Sequence, residues 1–418
     1  MRSRKTPTNS RYKSEYLPER LQGEHAQVRW MIWLHWIAGS ILALAWFSRI
    51  VDAALGMPKI ADIARPEWDC KPNSHPRVSI VVPACNEETD IERTLGQLVA
   101  LDYDNYEVIA LNDRSTDRTG EIMDRVAATP RAHGRLQVTH IRQLPAGWLG
   151  KTHAMWTAAR QATGEWLLFT DADVLFKPDS LRRALVYAET VNADHVVVFP
   201  RMIMKEPGER MMIAFFQTLF VFGHRPWKVA DPSTDDHMGV GAFNLIRRSV
   251  YEAVGTYEKL RLEVLDDMKL GKVVKEAGYR QRNVFGEDLI SLHWAKGTLG
   301  VVNNLSKNFF AILSFQWPRA LLSCCALAFL NLMPFLGVWI AHGWTRLPYA
   351  VALGSMFLIY VGMSWKSSIP PYYFVLHPIS TALFVYTVLR SMYLTLSQGG
   401  VVWRGTKYSL EELKKGMV

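Results

Sequence analysis

The sequence predicts an α/β protein with a mostly parallel sheet and with apolar helices of membrane-spanning length at both ends. Short β-branched runs alternate with helical patterns between residues 76 and 300, as expected of a parallel sheet covered by helices. Apolar runs near the length that spans a bilayer, about 20 residues, lie on both sides of that region. The chain has 418 residues, of which 49% are hydrophobic. This composition fits one polar domain combined with a membrane part.

Five strands are predicted in the polar region. Continuous β-branched runs of this kind indicate strands that are buried on both faces of a sheet. The runs are 78–82, 106–111, 136–141, 166–169 and 195–199, and helical patterns at 91–99, 121–128, 151–162 and 180–191 separate them. Ligands in such sheets bind at the carboxyl ends of the strands, so the residues that follow each strand are the first candidates for a functional site.

Changes in composition predict the division of the chain. The N-terminal arm is not a secretory signal peptide, because its apolar stretch begins late and no small-residue cleavage site follows. The predicted segments are a basic arm (1–29), a transmembrane helix (30–50), a linker (51–75), an α/β domain (76–300), an interfacial helix (301–318), a transmembrane bundle (319–397) and a basic tail (398–418).

The net charge of +9 indicates an anionic partner, either nucleic acid or a membrane surface. The long apolar runs favour the membrane, so no nucleic-acid partner is expected. If all four apolar segments crossed the bilayer, both basic termini would lie opposite the catalytic domain, which the positive-inside rule disfavours. At least one segment at each end is therefore expected to be interfacial or re-entrant.

Two aspartates, Asp171 and Asp173, follow the strand 166–169 directly. Alternate residues of an extended chain point the same way, and two such carboxylates repel each other unless a cation lies between them. Mg²⁺ or Mn²⁺, completed by substrate phosphates, is the predicted occupant. The alternative is a solvated turn before Pro178.

Polar residues follow two further strands. Asp113 lies at the end of the second strand, where helix capping would explain Thr116 or Asp117 better than Asp113. Pro83, Asn86 and Glu87 follow the first strand. These strand ends are predicted to converge on one edge of the sheet and form a site.

Two helix beginnings add candidates. Lys151 follows a glycine-containing turn, where backbone N–H groups and a lysine can bind an anion; a plain surface lysine is the alternative. Asp266 and Asp267 open another helix, which capping alone could explain. One of the two can instead face the site and deprotonate an acceptor hydroxyl.

Taken in order over residues 76–300, these motifs resemble family 2 glycosyltransferases, which have the Rossmann-like GT-A fold. The resembling stretches are 81–88, 112–117, 150–151, 170–173, 241–248 and 266–267. The resemblance implies an inverting hexosyltransferase that uses a nucleotide sugar, a UDP-sugar, with Mg²⁺ or Mn²⁺ at Asp171 and Asp173. It also implies that Asp267, next to Asp266, is the catalytic base. The implied donor-binding residues are Pro83, Asn86, Glu87, Asp113, Lys151 and Asp171.

The apolar ends are similar to those of ceramide glucosyltransferases and of carotenoid- and hopanoid-associated transferases, and residues 400–408 resemble the tail of such enzymes. This resemblance implies a lipid acceptor and a multi-pass protein of the cell membrane whose catalytic domain is cytoplasmic. The QxxRW signature of processive members is absent from the sequence, and Lys307 is predicted to make the diphosphate contact instead. The alternative for Lys307 is an interfacial lysine. A polyprenyl-phosphate glycosyltransferase and a cell-envelope polysaccharide synthase are the alternative functions.

Overall fold

A computed structural model describes residues 19–286 and 288–417. Most of the predicted basic arm lies outside these residues. The strands are β1 (Val78–Ala84), β2 (Tyr106–Asp113), β3 (Leu136–Ile141), β4 (Trp166–Phe169), β5 (Val174–Phe176), β6 (His195–Phe199), β7 (Arg201–Met202), β8 (Asn244–Arg247), β9 (Gln281–Phe285), β10 (Ile290–Leu292), β11 (Gly400–Trp403) and β12 (Thr406–Ser409).

The α-helices fall into a group that covers the sheet and a group of long apolar helices. They are α1 (Glu19–Gly56), α2 (Ile91–Leu98), α3 (Thr119–Ala127), α4 (Gly150–Gln161), α5 (Ser180–Thr190), α6 (Pro207–Gly223), α7 (Arg248–Ala253), α8 (Thr256–Lys259), α9 (Asp266–Glu276), α10 (Gly297–Ser306), α11 (Phe309–Ile312), α12 (Trp317–Ile340), α13 (Leu347–Ser364), α14 (His377–Ser397) and α15 (Leu410–Lys415).

The central sheet has seven strands in the order β3-β2-β1-β4-β8-β6-β9. β3, β2, β1 and β4 run parallel, β8 runs antiparallel to both of its neighbours, and β9 runs parallel to β6. This topology confirms the predicted α/β class with a mostly parallel sheet. Because β1 lies between β2 and β4, the carboxyl ends of these three strands share one edge of the sheet.

Both faces of the sheet are buried, as the continuous apolar runs predicted. Successive residues of β1 point to opposite faces: Ile80 and Val82 pack into one hydrophobic core, and Val81 packs into the other. The predicted strands 78–82, 106–111, 136–141, 166–169 and 195–199 correspond to β1, β2, β3, β4 and β6.

Four helical segments in the described part of the chain are long and apolar enough to cross a membrane: Arg29–Lys59, Trp317–Ile340, Gly343–Ser364 and Pro371–Ser397. α1 packs along α13, and α12 packs against both α13 and α14, so the N-terminal helix joins the C-terminal bundle. α6 contains the apolar stretch 211–222 and contacts α10 and α14. It therefore lies between the catalytic domain and the bundle.

Two C-terminal segments differ from their predicted form. The predicted interfacial helix 301–318 consists of α10, α11 and the start of α12, with breaks at Lys307 and Asn308 and again before Trp317. The predicted basic tail folds into the β11–β12 hairpin followed by α15. Buried Val401, Tyr408 and Leu413 fix this segment to a hydrophobic cluster that also contains Phe310. It packs onto the protein because it carries its own apolar face.

Candidate active site

The loops that follow β1 and β2 are joined by side-chain hydrogen bonds. Asn86 has a left-handed backbone (φ 57°), and its Oδ1 accepts a bond from the backbone N–H of Thr116 (2.8 Å). The backbone N–H of Glu87 donates to Oγ1 of Thr119 (2.7 Å). Asn86 thus holds the loops in place, while Pro83 stays buried within β1.

Asp113, at the end of β2, is buried and forms a bidentate pair with Arg114. Nε of Arg114 lies 2.8 Å from Oδ1 of Asp113, and Nη2 lies 3.1 Å from Oδ2. The carboxylate also rests against the first residue of α4, because a Cβ at Gly150 would lie 2.2 Å from Oδ2 of Asp113. Only glycine permits this approach, which joins the end of β2 to the start of α4.

Lys151, in the first turn of α4, connects two of the predicted carboxylates. Its Nζ lies 2.8 Å from Oδ1 of Asp171 and 3.3 Å from Oδ2 of Asp266. The Lys151 and Asp266 side chains are 12% and 5% exposed, whereas that of Asp171 is 39% exposed. The structure therefore brings together residues from α4, the β4 end and α9, which lie far apart in the sequence.

Gly241 makes room for the Asp171 carboxylate. The backbone N–H of Asp171 donates to the carbonyl of Gly241 (2.9 Å), and a Cβ at residue 241 would lie 2.3 Å from Oδ2 of Asp171. A side chain at this position would displace the carboxylate that contacts Lys151. Gly241 fell within a family-like stretch of the sequence, but its link to Asp171 required the three-dimensional contact.

The two aspartates at the start of α9 differ in their surroundings. Asp266 is buried, and its carboxylate forms an ion pair with Lys151. Asp267 is half-buried, and its Oδ1 accepts a hydrogen bond from the backbone N–H of Met268 (2.7 Å). Asp267 is therefore the more open of the two, and it lacks the close lysine contact of its neighbour.

The carboxylates form an acidic cluster whose pKa values reflect burial and mutual repulsion. Burial, with the nearby charges of Asp267 and Asp171, raises the pKa of Asp266 to about 7 although Lys151 opposes the shift. Burial and Asp171 raise the pKa of Asp173 to about 6. Burial also raises the pKa of Asp267. For Asp171 burial acts to raise the pKa, but the charge and hydrogen bond of Lys151, together with the charges of Arg404 and Lys307, lower it overall. A cation at this cluster would favour the ionised carboxylates.

Asp171 and Asp173 fit a divalent cation as a two-carboxylate site. The carboxylate of Asp173, whose pKa is raised, would be stabilised by a nearby positive charge, and Mg²⁺ commonly takes only one or two protein carboxylates together with substrate phosphates. Within residues 19–286 and 288–417 no three histidine, cysteine or acidic side chains cluster in a metal-binding arrangement.

Sequence reasoning missed the contribution of the C-terminal hairpin. Nη2 of Arg404 donates to Oε1 of Glu87 (2.8 Å), and Nη1 of Arg114 donates to Oγ1 of Thr406 (3.1 Å). Lys307, predicted as a diphosphate ligand, has its Nζ 5.6 Å from the centre of the Trp403 ring. The sequence shows the stretch 400–408 only as a resemblance, because nothing in it indicates that this stretch contacts the loops after β1 and β2.

Comparisons with known proteins agree with this architecture. Residues 79–255 match the family model Glycosyl transferase family 2. The chain is 23% identical over 218 residues to 4,4'-diaponeurosporenoate glycosyltransferase of Staphylococcus haemolyticus, covering 51% of this chain and 56% of that protein. It is 32% identical over 163 residues to beta-monoglucosyldiacylglycerol synthase of Synechocystis sp., covering 38% and 33%. The matches thus span about half or a third of these relatives.

One solved structure shares the fold over most of the chain. It is a mannosyltransferase from Pyrobaculum calidifontis in complex with GDP-Man and Mn²⁺, with a TM-score of 0.52 and 21% identity. The match covers 86% of this chain and 99% of that one.

Proposed function

We propose that this chain, whose residues 79–255 match glycosyl transferase family 2, transfers a sugar from a nucleotide sugar to a hydroxyl group of a membrane lipid. The observation that most supports this function is the meeting of Lys151, Asp171 and Asp266 at one edge of the sheet, with contacts of 2.8 and 3.3 Å. Ligands of parallel α/β sheets bind at this edge. The donor is a UDP-sugar in this proposal.

The donor nucleotide lies along the ends of β1 and β2, beside Asn86, Glu87 and Asp113. Asp113 is paired with Arg114 through both of its oxygens, and each carboxylate oxygen has a second acceptor site that a base or ribose donor can use. Pro83 shapes this strand end from within the sheet. The loops are held by their mutual hydrogen bonds, so the nucleotide meets a preorganised surface.

Asp171 and Asp173 are the residues that would hold Mg²⁺ or Mn²⁺. When bound, such an ion supplies positive charge to the leaving diphosphate. The relative solved with GDP-Man and Mn²⁺ shares this fold, which supports a metal-dependent mechanism. Lys151 holds Asp171 in position and does not itself bind the phosphates, since its ammonium group already contacts two carboxylates. Lys307, next to the cluster, adds positive charge on the diphosphate side.

Asp267 removes the proton of the acceptor hydroxyl as its oxygen attacks the anomeric carbon. Asp267 is half-buried, and Asp266 is committed to Lys151, which supports Asp267 as the base. Its raised pKa makes it a stronger base than an ordinary aspartate, and above that pKa the carboxylate is ionised and can accept a proton. A single displacement with one base inverts the configuration of the sugar.

The lipid acceptor reaches Asp267 along an apolar surface between the site and the membrane helices. Met268, which follows Asp267, belongs to a hydrophobic cluster that also contains Phe199 and Phe220. Phe220 lies on α6, which contacts α10 and α14. Apolar side chains thus continue from the base to the bundle. The relatives named for diaponeurosporenoate and glucosyldiacylglycerol support a lipid acceptor at a cell membrane, with the catalytic domain on the cytoplasmic side where nucleotide sugars are made.

The test is sugar transfer by membranes that contain the full chain. Membranes are incubated with labelled UDP-glucose, UDP-galactose, UDP-N-acetylglucosamine or GDP-mannose, and the lipids are extracted. We expect label in a lipid, and Asp267→Asn should lower transfer by about 100-fold or more while UDP binding is kept. Asp104→Asn, an exposed aspartate at the opposite end of β2, is the control and should leave transfer unchanged. Label in a polyprenyl phosphate or a polymer would replace the proposed acceptor, and full activity of Asp267→Asn would refute the base.

A further inference from the structure

The β11–β12 hairpin, residues 400–409, is a structural part of the candidate site that the proposed reaction has not yet used. Its two turn residues both have left-handed backbones, Arg404 at φ 48° and Gly405 at φ 78°. This geometry closes a tight two-residue turn between the strands. The hairpin follows α14 directly, and Arg404 lies at its tip, where the side chain extends toward the end of β1.

Three polar contacts fix the hairpin to the strand ends. Besides the Arg404–Glu87 and Arg114–Thr406 bonds, the hydroxyl of Tyr408 accepts a hydrogen bond from the backbone N–H of Gly150 (3.2 Å). The hairpin thereby touches the loops after β1 and β2 and the start of α4. These are the elements that carry the proposed donor-binding residues. A hairpin that served only to anchor the chain would not need a charged residue at this position.

The charge balance of the site leaves the donor diphosphate in need of cations. Lys151 is occupied by Asp171 and Asp266, and the surrounding side chains are mostly acidic. Arg404 contributes positive charge beside this cluster, since its Nη2 lies 2.8 Å from Oε1 of Glu87. Its side chain is 32% exposed, and that of its partner Glu87 is 22% exposed. Arg404 is therefore held by Glu87, with the thiol of Cys85 also beside it, and part of its side chain is open to solvent.

The partner of Arg404 is one that an anionic ligand can displace. Burial raises the pKa of Glu87 to about 7, and the charges of Asp173 and Asp171 act in the same direction, although Arg404 opposes the shift. Glu87 also contacts Arg404 through a single oxygen, Oε1, so the guanidinium keeps further N–H donors for another ligand. A diphosphate offers a guanidinium two acceptor oxygens in a bidentate arrangement, which a single Oε1 contact does not.

We propose that Arg404, presented by the C-terminal hairpin, is a donor-binding residue that exchanges Glu87 for the diphosphate of the nucleotide sugar. This inference rests on the proposed function. The QxxRW signature is absent from the sequence, and in this inference the hairpin makes the diphosphate contact instead. Lys307 contributes to the same contact, because its ammonium group lies over the ring of Trp403 on the hairpin. No bond is made or broken in this step, because Arg404 changes only its hydrogen-bond partner.

The test compares the binding of a nucleoside diphosphate with that of its nucleoside. The full chain in detergent or nanodiscs with Mn²⁺ is titrated with UDP and with uridine, or with GDP and guanosine if the wild type selects guanine. Arg404→Gln should weaken diphosphate binding by about 10- to 100-fold, the range for a hydrogen bond to a charged group, and leave nucleoside binding unchanged. The diphosphate affinity of Arg404→Lys should lie between those of the wild type and Arg404→Gln, because lysine keeps the charge but not the bidentate geometry.

Lys407 provides the matched control, since it is an exposed cation on the same hairpin; Lys407→Gln should bind both ligands like the wild type. Equal weakening of diphosphate and nucleoside in Arg404→Gln would show that Arg404 only supports the fold, and no change in either would show that it does not contact the donor. Both results overturn the inference and leave the proposed function intact. A wild-type protein that binds neither UDP nor GDP would overturn the proposed function as well.

Discussion

Replacing Lys151 with methionine tests the organisation of the site most directly. Its contacts of 2.8 Å to Asp171 and 3.3 Å to Asp266 are each worth about 5 kcal/mol of Coulomb energy at an effective dielectric constant of ~20. Desolvation of the ions and the 39% exposure of Asp171 reduce this, so the net loss is expected to be about 2–3 kcal/mol. That corresponds to about two pKa units, distributed over the carboxylates that Lys151 stabilises.

The sign of the effect follows from the carboxylates. Lys151 lowers the pKa of Asp171, Asp266 and Asp267, so its removal raises all three. These groups then become ionised only at higher pH. Since Asp267 must be ionised to accept a proton, the acid limb of the transfer profile should move to higher pH, by at most about two units, and the activity lost at acidic pH should recover as the pH is raised.

The assay is the pH profile of lipid glycosylation, measured for the wild type, Lys151→Met, Asp266→Asn and the double variant. Asp266→Asn should restore part of the activity of Lys151→Met, because it removes one of the charges left without a partner. Lys177→Met, an exposed lysine after β5, is the size-matched control. An unshifted acid limb in Lys151→Met, or strictly additive losses in the double variant, would refute the electrostatic role of Lys151.

Three further predictions concern the metal, the glycine contact and the membrane orientation. Chelation with EDTA should abolish transfer and Mn²⁺ should restore it, while Asp173→Asn should raise the Mn²⁺ concentration needed for half-maximal rate; full activity after chelation would exclude the metal site. Gly241→Ala should lower transfer by at least about 10-fold, at a packing cost of about 1–3 kcal/mol, because its Cβ would lie 2.3 Å from the Asp171 carboxylate. The control is Gly96→Ala on α2, whose Cβ would meet nothing within 4 Å. This variant should transfer sugar like the wild type. A tag after Val418 should be accessible from the same side of the membrane as a tag inserted in the exposed loop at residues 130–134; opposite accessibility would contradict the hairpin contacts.

Local sequence patterns were sufficient for the sheet but not for the partners of the site residues. β1, β2 and β4 are buried on both faces, so their apolar runs are continuous and easily recognised, and the polar residues at their ends were predicted for the same reason. The residues whose importance comes from contact gave no such signal. Arg404 lies 317 positions from Glu87, and no periodicity relates them. Gly241 becomes informative only when Asp171 is known to lie against it.

The sequence also could not predict which charged residues of the site pair with each other. Lys151 and the acidic pair were predicted as separate candidates for binding an anion and for catalysis. Only the distances show that Lys151 contacts Asp171 and Asp266, and we therefore propose that it positions these carboxylates. The difference between Asp266 and Asp267 likewise depends on burial, because adjacent residues of a helix point in different directions.

The hairpin contact also constrains how the chain crosses the membrane. Arg404 can reach Glu87 only if β11 and β12 lie on the same side of the bilayer as the sheet. Between the catalytic domain and the hairpin lie α12, α13 and α14, and three complete crossings would deliver the hairpin to the opposite side. An even number of crossings is therefore expected, so one of the three helices should not cross completely.

α14 is the helix best suited to lie at the interface. It packs against α6, α10 and α11 next to the catalytic domain, and Ser391 accepts a hydrogen bond from the backbone N–H of Phe310 on α11 (3.0 Å). Its buried face contains further hydroxyl groups, including Thr381 and Thr387, which donate to carbonyls one turn earlier in the same helix. If α12 and α13 cross as a pair, we expect the basic C-terminal segment to lie on the same side of the membrane as the candidate site, and the positive-inside rule predicts that this side is the cytoplasm.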